Sequence, residues 1–371
     1  PRLAESNLFV ISSGGPGSLS ASEFNPLFNR NGVNFLGTGL AGENGLWSGD
    51  GVLAGIYQKL SFSVGYNQFE TDGWRENAFQ KDKIGNAFLQ LALSPGTSLQ
   101  AEDRYRDKQY GDLQQKFFTD LYLPGETHDV QRETFRLGGR HTFSPRSVLL
   151  VNATYANTDD LVTIDGFFGP DSSLSSKLAQ EAYGAEAQHL FRSRFVDVTS
   201  GLGYFDIDGE TVQAFSFGPG IVEETPPIPG AYNHFNAYAY ANLKPHATVT
   251  LTAGGSYDQV EGDLAEDERD QFNPKVGLVW EPHPTTTVRA AAFKSLKRTL
   301  ITDQTLEPTQ VAGFNQFYDD ATATESEIWG LAIDQKLGRK AFAGFEYSQR
   351  DLTIPQTLFQ LFPETTVSIE E

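Results

Sequence analysis

Apolar and polar side chains alternate one by one along this chain, and a period of two builds a strand with one apolar and one wet face. Leu60, Phe62, Val64 and Tyr66 share a face opposite Ser61, Ser63, Gly65 and Asn67. From Phe235 to Leu243 one face reads Phe235, Ala237, Ala239, Ala241 and Leu243, the other Asn236, Tyr238, Tyr240 and Asn242. Val249, Leu251 and Ala253 oppose Thr248, Thr250 and Thr252. Val276, Leu278 and Trp280 oppose Lys275 and Glu281, and Trp329, Leu331 and Ile333 oppose Asp334 and Lys336. The sequence carries no helical repeat and no heptad.

The breaks between these stretches have a rhythm of their own. Short turns fall at 58–59, 94–97, 144–147, 192–195, 244–248, 281–286 and 337–341, several with Pro or Gly. Long polar connections fall between them, at 71–83, 108–132, 158–180, 207–233, 259–271 and 297–325. A strand ribbon threaded through a membrane has this pattern, with tight turns on the periplasmic side and long loops outside. Strands of about ten residues suffice to cross when tilted. The first spans about Val33 to Glu43, hairpins follow to about Asp351, and Thr365–Ile369 opens a further strand. The expected fold is therefore all-β: a transmembrane antiparallel up-and-down β-barrel of at least 16 strands, truncated at its C-terminus. The expected domains are a lead-in at 1–31, periplasmic or luminal, and an incomplete outer-membrane barrel at 32–371.

Composition narrows the function. A net charge of −20 argues against nucleic acid, which demands a basic footprint. With no Cys, disulfides, thiolate metal sites and cysteine nucleophiles are excluded. No stretch reaches the ~18 apolar residues of a membrane helix, but barrel strands escape that criterion because only alternate residues meet lipid. Trp47, Trp74, Trp280, Trp329 and many Tyr stand near strand ends, as an interfacial girdle would place them.

Few motifs carry chemistry. Gly37-Thr38-Gly39-Leu40-Ala41-Gly42 matches a dinucleotide fingerprint, but a loop follows where a helix must start. The six His form no metal-binding pair, and no Ser-His-acid set can be assembled from spacing. Asn152-Ala153-Thr154 lies mid-strand and is no glycosylation signal. Acids cluster from Asp258 to Asp270, where Asp258, Glu261, Asp263 and Asp267 are candidate ligands for Ca2+ on an outer loop; the spacing fits no regular calcium loop, which favours a solvated acidic loop. No other cofactor is expected. If the polar strand faces point inward, Glu102, Arg104, Arg136, Arg140, Lys275, Arg289 and Lys336 line the lumen, setting ion selectivity or pairing off across it.

The stretch Phe272-Asn273-Pro274-Lys275-Val276-Gly277-Leu278-Val279-Trp280-Glu281-Pro282, continued by Thr286-Thr287-Val288-Arg289-Ala290-Ala291-Ala292-Phe293, resembles a hairpin of TonB-dependent receptor barrels; Leu306-Glu307-Pro308 and Phe345-Glu346-Tyr347-Ser348 add to the likeness. Residues 23–30 and 70–77 are similar to receptor-like barrels that follow tetratricopeptide repeats in bacterial outer-membrane proteins. The resemblance implies a bacterial outer-membrane location, no enzymatic activity, lipid as neighbour and a periplasmic or envelope protein as partner. It implies passage of a solute through a receptor-like transporter or pore; the alternative is a structural barrel anchoring periplasmic repeats in a larger envelope complex. Residues 1–31 are too short for a receptor plug, so a plug is expected outside this segment or replaced by repeats.

Overall fold

The computed structural model describes residues 17–18, 31–114, 118, 121–218, 220–262, 269–298, 304–318, 320, 323–338 and 340–354. Among them there is no helix and there are fifteen long strands. These are β1 (Gly32–Ala41), β2 (Trp47–Tyr57), β3 (Leu60–Thr71), β4 (Gln80–Ser94), β5 (Thr97–Tyr110), β6 (Glu126–Ser144), β7 (Ser147–Asp165), β8 (Ser173–Arg192), β9 (Val196–Ser216), β10 (Tyr232–His246), β11 (Val249–Gly262), β12 (Arg269–His283), β13 (Thr286–Leu296), β14 (Glu325–Leu337) and β15 (Ala341–Thr353). Each pairs antiparallel with the next. Among the described residues β1 pairs with β2 alone and β15 with β14 alone, so the sheet has two free edges. The strand expected at Thr365–Ile369 lies outside the described residues, as does most of the lead-in. Gly17–Ser18 of that lead-in pairs in parallel with Gln304–Thr305.

The expected alternation of faces holds along the wall. Ser61, Ser63 and Asn67 are buried on the inner face of β3, while Val64 and Tyr66 are exposed on the outer. On β10 the inner face carries His234, Asn236, Tyr238 and Tyr240, all buried, and the outer carries Phe235 and Leu243. Large apolar side chains left exposed along one face of a continuous hydrogen-bonded wall meet lipid, not water.

Strand length departs from expectation. β1 to β3 have 10 to 12 residues, but β6 to β9 have 19 to 21. The expected loops 158–180 and 207–233 are therefore largely strand. About ten residues cross the bilayer, so the remaining halves of β6–β9 stand above it. There both faces are wet, the alternation fades, and a polar strand reads like a loop while the backbone ladder continues. The outer face marks the boundary. Leu137, Val151 and Leu202 are exposed apolar residues. Above them runs an aromatic row in which Phe135 faces Tyr155 and Tyr155 faces Tyr183, the last two rings 5.0 Å apart. Beyond that row outward positions turn acidic: Glu133, Asp159, Glu181 and Asp208. Aromatic rings mark the headgroup level and carboxylates the water beyond it.

Candidate functional site

One connection does not stay outside. In the connection between β13 and β14, the described residues 304–318 run back along the inner face. Leu306, Glu307, Val311, Phe314, Gln316 and Phe317 are buried there. The loop tip reaches Arg289, whose Nη1 donates to the Gly313 carbonyl at 3.3 Å. Arg289 lies seven residues down β13 from Leu296, a descent of ~20 Å along the strand. Two glycines permit this fit. Gly313 has φ +90°, open to glycine at no cost. A Cβ at Gly330 would stand 2.4 Å from the Phe314 ring, so the bare backbone of β14 makes room for it. Val311 and Phe314 then pack with Tyr238, Tyr240, Ala291, Phe293, Ile328 and Ala332.

Polar contacts pin the loop across several strands. Glu186 of β8 accepts from the Thr305 hydroxyl at 2.5 Å and the Leu306 amide at 3.1 Å, and Gln188 donates to the Leu306 carbonyl. Glu307 accepts from Asn236 at 2.9 Å and from the Tyr240 hydroxyl at 2.6 Å. The Arg298 guanidinium lies 3.1 Å from Glu307, donates to Thr305 at 2.7 Å, and sits over the Phe205 and Phe317 rings. Gln316 donates to Tyr240 at 3.1 Å, and Ser295 donates to the Gln316 carbonyl at 2.8 Å. A loop so held fills space that the wall encloses, and its buried charges have counter-charges or several donors, as burial demands. Spacing gave no sign of Glu186, Arg298 or Gln316. The available signal was Tyr238 and Tyr240, two aromatics on an otherwise polar face, which ask for something to cover them.

The seven charged candidates all fall on the inner face. Glu102 pairs with Arg136 and accepts from Asn86. Arg104 and Arg140 follow the same parity on β5 and β6. Lys275 is buried, its ammonium donating to the Lys294 carbonyl at 2.8 Å. Arg289 bridges Asp334 at 3.0 Å and Glu346 at 3.2 Å. Lys336 stands exposed near the Phe342 ring. Those among them with a charged partner thus pair with groups one or two strands away.

Of the calcium candidates, Asp258 and Glu261 are not brought together. Asp258 is buried inside, held by His234 at 3.1 Å, Ser256 at 3.0 Å and Asn273 at 2.8 Å. Glu261, of opposite parity, points outward and accepts from Gln259. Two carboxylates on opposite faces of one strand cannot share a cation. Asp263 and Asp267 lie outside the described residues, and among the described residues no group of three or more His, Asp or Glu could hold a metal. The Ser256–Asp258–His234 contacts do not form a nucleophilic triad either, because the hydroxyl bonds the carboxylate and not the imidazole. The Gly37–Gly42 stretch lies on β1 and the turn after it, with no helix behind it.

Solved structures with this fold include the copper transporter OprC (12 % identity, TM-score 0.69, covering 88 % of this chain and 54 % of that one). The ferric yersiniabactin uptake receptor FyuA from Yersinia pestis is also similar (14 %, TM-score 0.64, 89 % and 55 %), as is the siderophore receptor PiuA from Acinetobacter baumannii (10 %, TM-score 0.63, 88 % and 57 %). The chain thus spans about half the length of the solved receptors it matches. A comparison with curated protein sequences finds no significant match. The model of the family described as TonB dependent receptor-like, beta-barrel matches residues 11–352. Wall, aromatic row and family match agree: the chain belongs to the TonB-dependent receptor-like β-barrels of the bacterial outer membrane.

Proposed function

We propose that the chain forms part of the wall of an outer-membrane barrel through which a solute passes, with the inward connection at residues 304–318 as an internal gate. The observation that carries this reading is the descent of that loop to Arg289 against a polar inner face. A merely structural barrel has no need of a polar interior closed by a segment tied through reversible hydrogen bonds. The reading is of a transporter or pore, not an enzyme. The similar proteins named above are a copper transporter, a siderophore receptor and a ferric yersiniabactin uptake receptor, which supports passage in general and leaves the solute of this chain to its own residues.

Planar-bilayer recording on the full-length natural protein tests it. Replacing residues 299–322 by a short Gly-Ser turn is expected to raise single-channel conductance several-fold over the parent. A barrel that stays equally sealed with and without the loop would sink the gate and weigh against passage.

A further inference from the structure

Beneath the loop tip the inner wall leaves a cavity of about 460 Å³, within the ~300–1,000 Å³ usual for small-ligand sites. Its walls are β9 to β13 and its lid is the loop itself, through Pro308, Gln310, Ala312 and Gly313. Three charged side chains line it, and each is already matched. Lys244 lies 2.5 Å from Asp197, and Arg289 is held by Asp334 and Glu346. A charged ligand would have to compete with a partner already in place for each of these groups, whereas a neutral group need displace none of them. What remains is neutral. The Thr199 and Thr250 hydroxyls and the Asn242 amide nitrogen have no protein partner among the described residues, while the Thr252 hydroxyl donates to the Asn242 carbonyl oxygen at 2.7 Å. The Tyr240 side chain stands among them, its own hydroxyl already engaged by Glu307 and Gln316.

We infer that this cavity, with Thr199, Asn242, Thr250 and Thr252 as its hydrogen-bonding wall and Tyr240 as its platform, seats an uncharged, hydroxyl-rich solute. The inference rests on the passage reading and deepens it by naming a ligand chemistry. A neutral polyol supplies partners to these donors and acceptors, and presents C–H surface to Tyr240, Val279 and Ala312. The loop that closes the cavity has to move before such a solute goes on.

Isothermal titration of the full-length protein in detergent, with maltose, gluconate and glucosamine as probes, tests the seat. Maltose is expected to bind at least about tenfold more tightly than either charged probe, a margin of ~1.4 kcal/mol. Thr199→Val and Asn242→Leu are each expected to weaken maltose about tenfold, and Thr199→Ser to retain it. Heat-modifiable gel migration verifies that each variant keeps its barrel. Equal binding of a charged probe, no maltose binding, or unchanged affinity in both apolar variants overturns the inference. Swelling of proteoliposomes in the same sugars separates the two readings. Solute passage without maltose binding removes the seat and leaves the pore, whereas maltose binding in vesicles tight to every solute keeps the seat and removes the pore.

Discussion

Arg298 and Glu307 face each other at 3.1 Å with each side chain about 1 % exposed. A buried pair is weak evidence for net stability, but removing one partner strands the other. Arg298→Met leaves both Glu186 and Glu307 without their nearest cation. It is expected to lower stability by about 3–5 kcal/mol, read as a lower urea midpoint of the folded barrel in detergent. Adding Glu307→Gln removes the stranded charge while keeping a hydrogen-bonding side chain for Asn236 and Tyr240, and is expected to restore part of that loss. A double variant as weak as the single one would show that the two groups do not depend on each other. At this scale the sequence was legible in orientation only. Parity on a strand tells which side chains share a face, so Glu102, Arg136, Lys275 and Arg289 could be sent inward together. It cannot tell which groups from a distant loop meet them, and Asp258 and Glu261, neighbours in sequence, part to opposite faces for the same reason of parity.

The elements divide at the aromatic row. On the outer face of β7, Val151 lies below Tyr155 and Asn157 above it. Val151→Arg places a charge in hydrocarbon and is expected to cost about 2–4 kcal/mol, whereas Asn157→Arg stands in the headgroup or aqueous zone and is expected to cost about 0–1 kcal/mol. Denaturant unfolding from phospholipid vesicles measures both, and equal costs would move the membrane level away from Tyr155. Tight turns were read from sequence within a few residues because Pro, Gly and short spacing punctuate them. The upper halves of β6 to β9 were missed because they lack a greasy face. Their register comes from backbone hydrogen bonds to their neighbours, such as Asp159 opposite Ala179 and Glu210 opposite Ala179, which no single strand's side chains encode.

For the molecule as a whole, the first and last strands decide its behaviour. β1 is exposed along its whole length and β15 nearly so, and among the described residues each offers an unpaired row of amides and carbonyls, the template for association with another strand. The 371-residue polypeptide expressed by itself is expected to form cross-linkable oligomers in detergent through these edges. Proline at alternate positions of β1, where an amide would donate to an incoming strand, is expected to reduce them; oligomers indifferent to both edges would rule this out. The sequence by itself determined an all-β membrane wall, its face assignments and the alternation of tight and long connections. Those follow from local rules, the two-residue pleat and the demand that lipid meet apolar groups. Only the tertiary structure decided that residues 304–318 turn inward, that Arg298 meets Glu307, and that a cavity with matched charges lies beneath Gly313. The inward turn and the cavity depend on contacts between segments up to 120 residues apart, and the Arg298–Glu307 pair, close in sequence, is buried only because of them, so that burial and counter-charge are properties of the assembled wall and not of any stretch of chain.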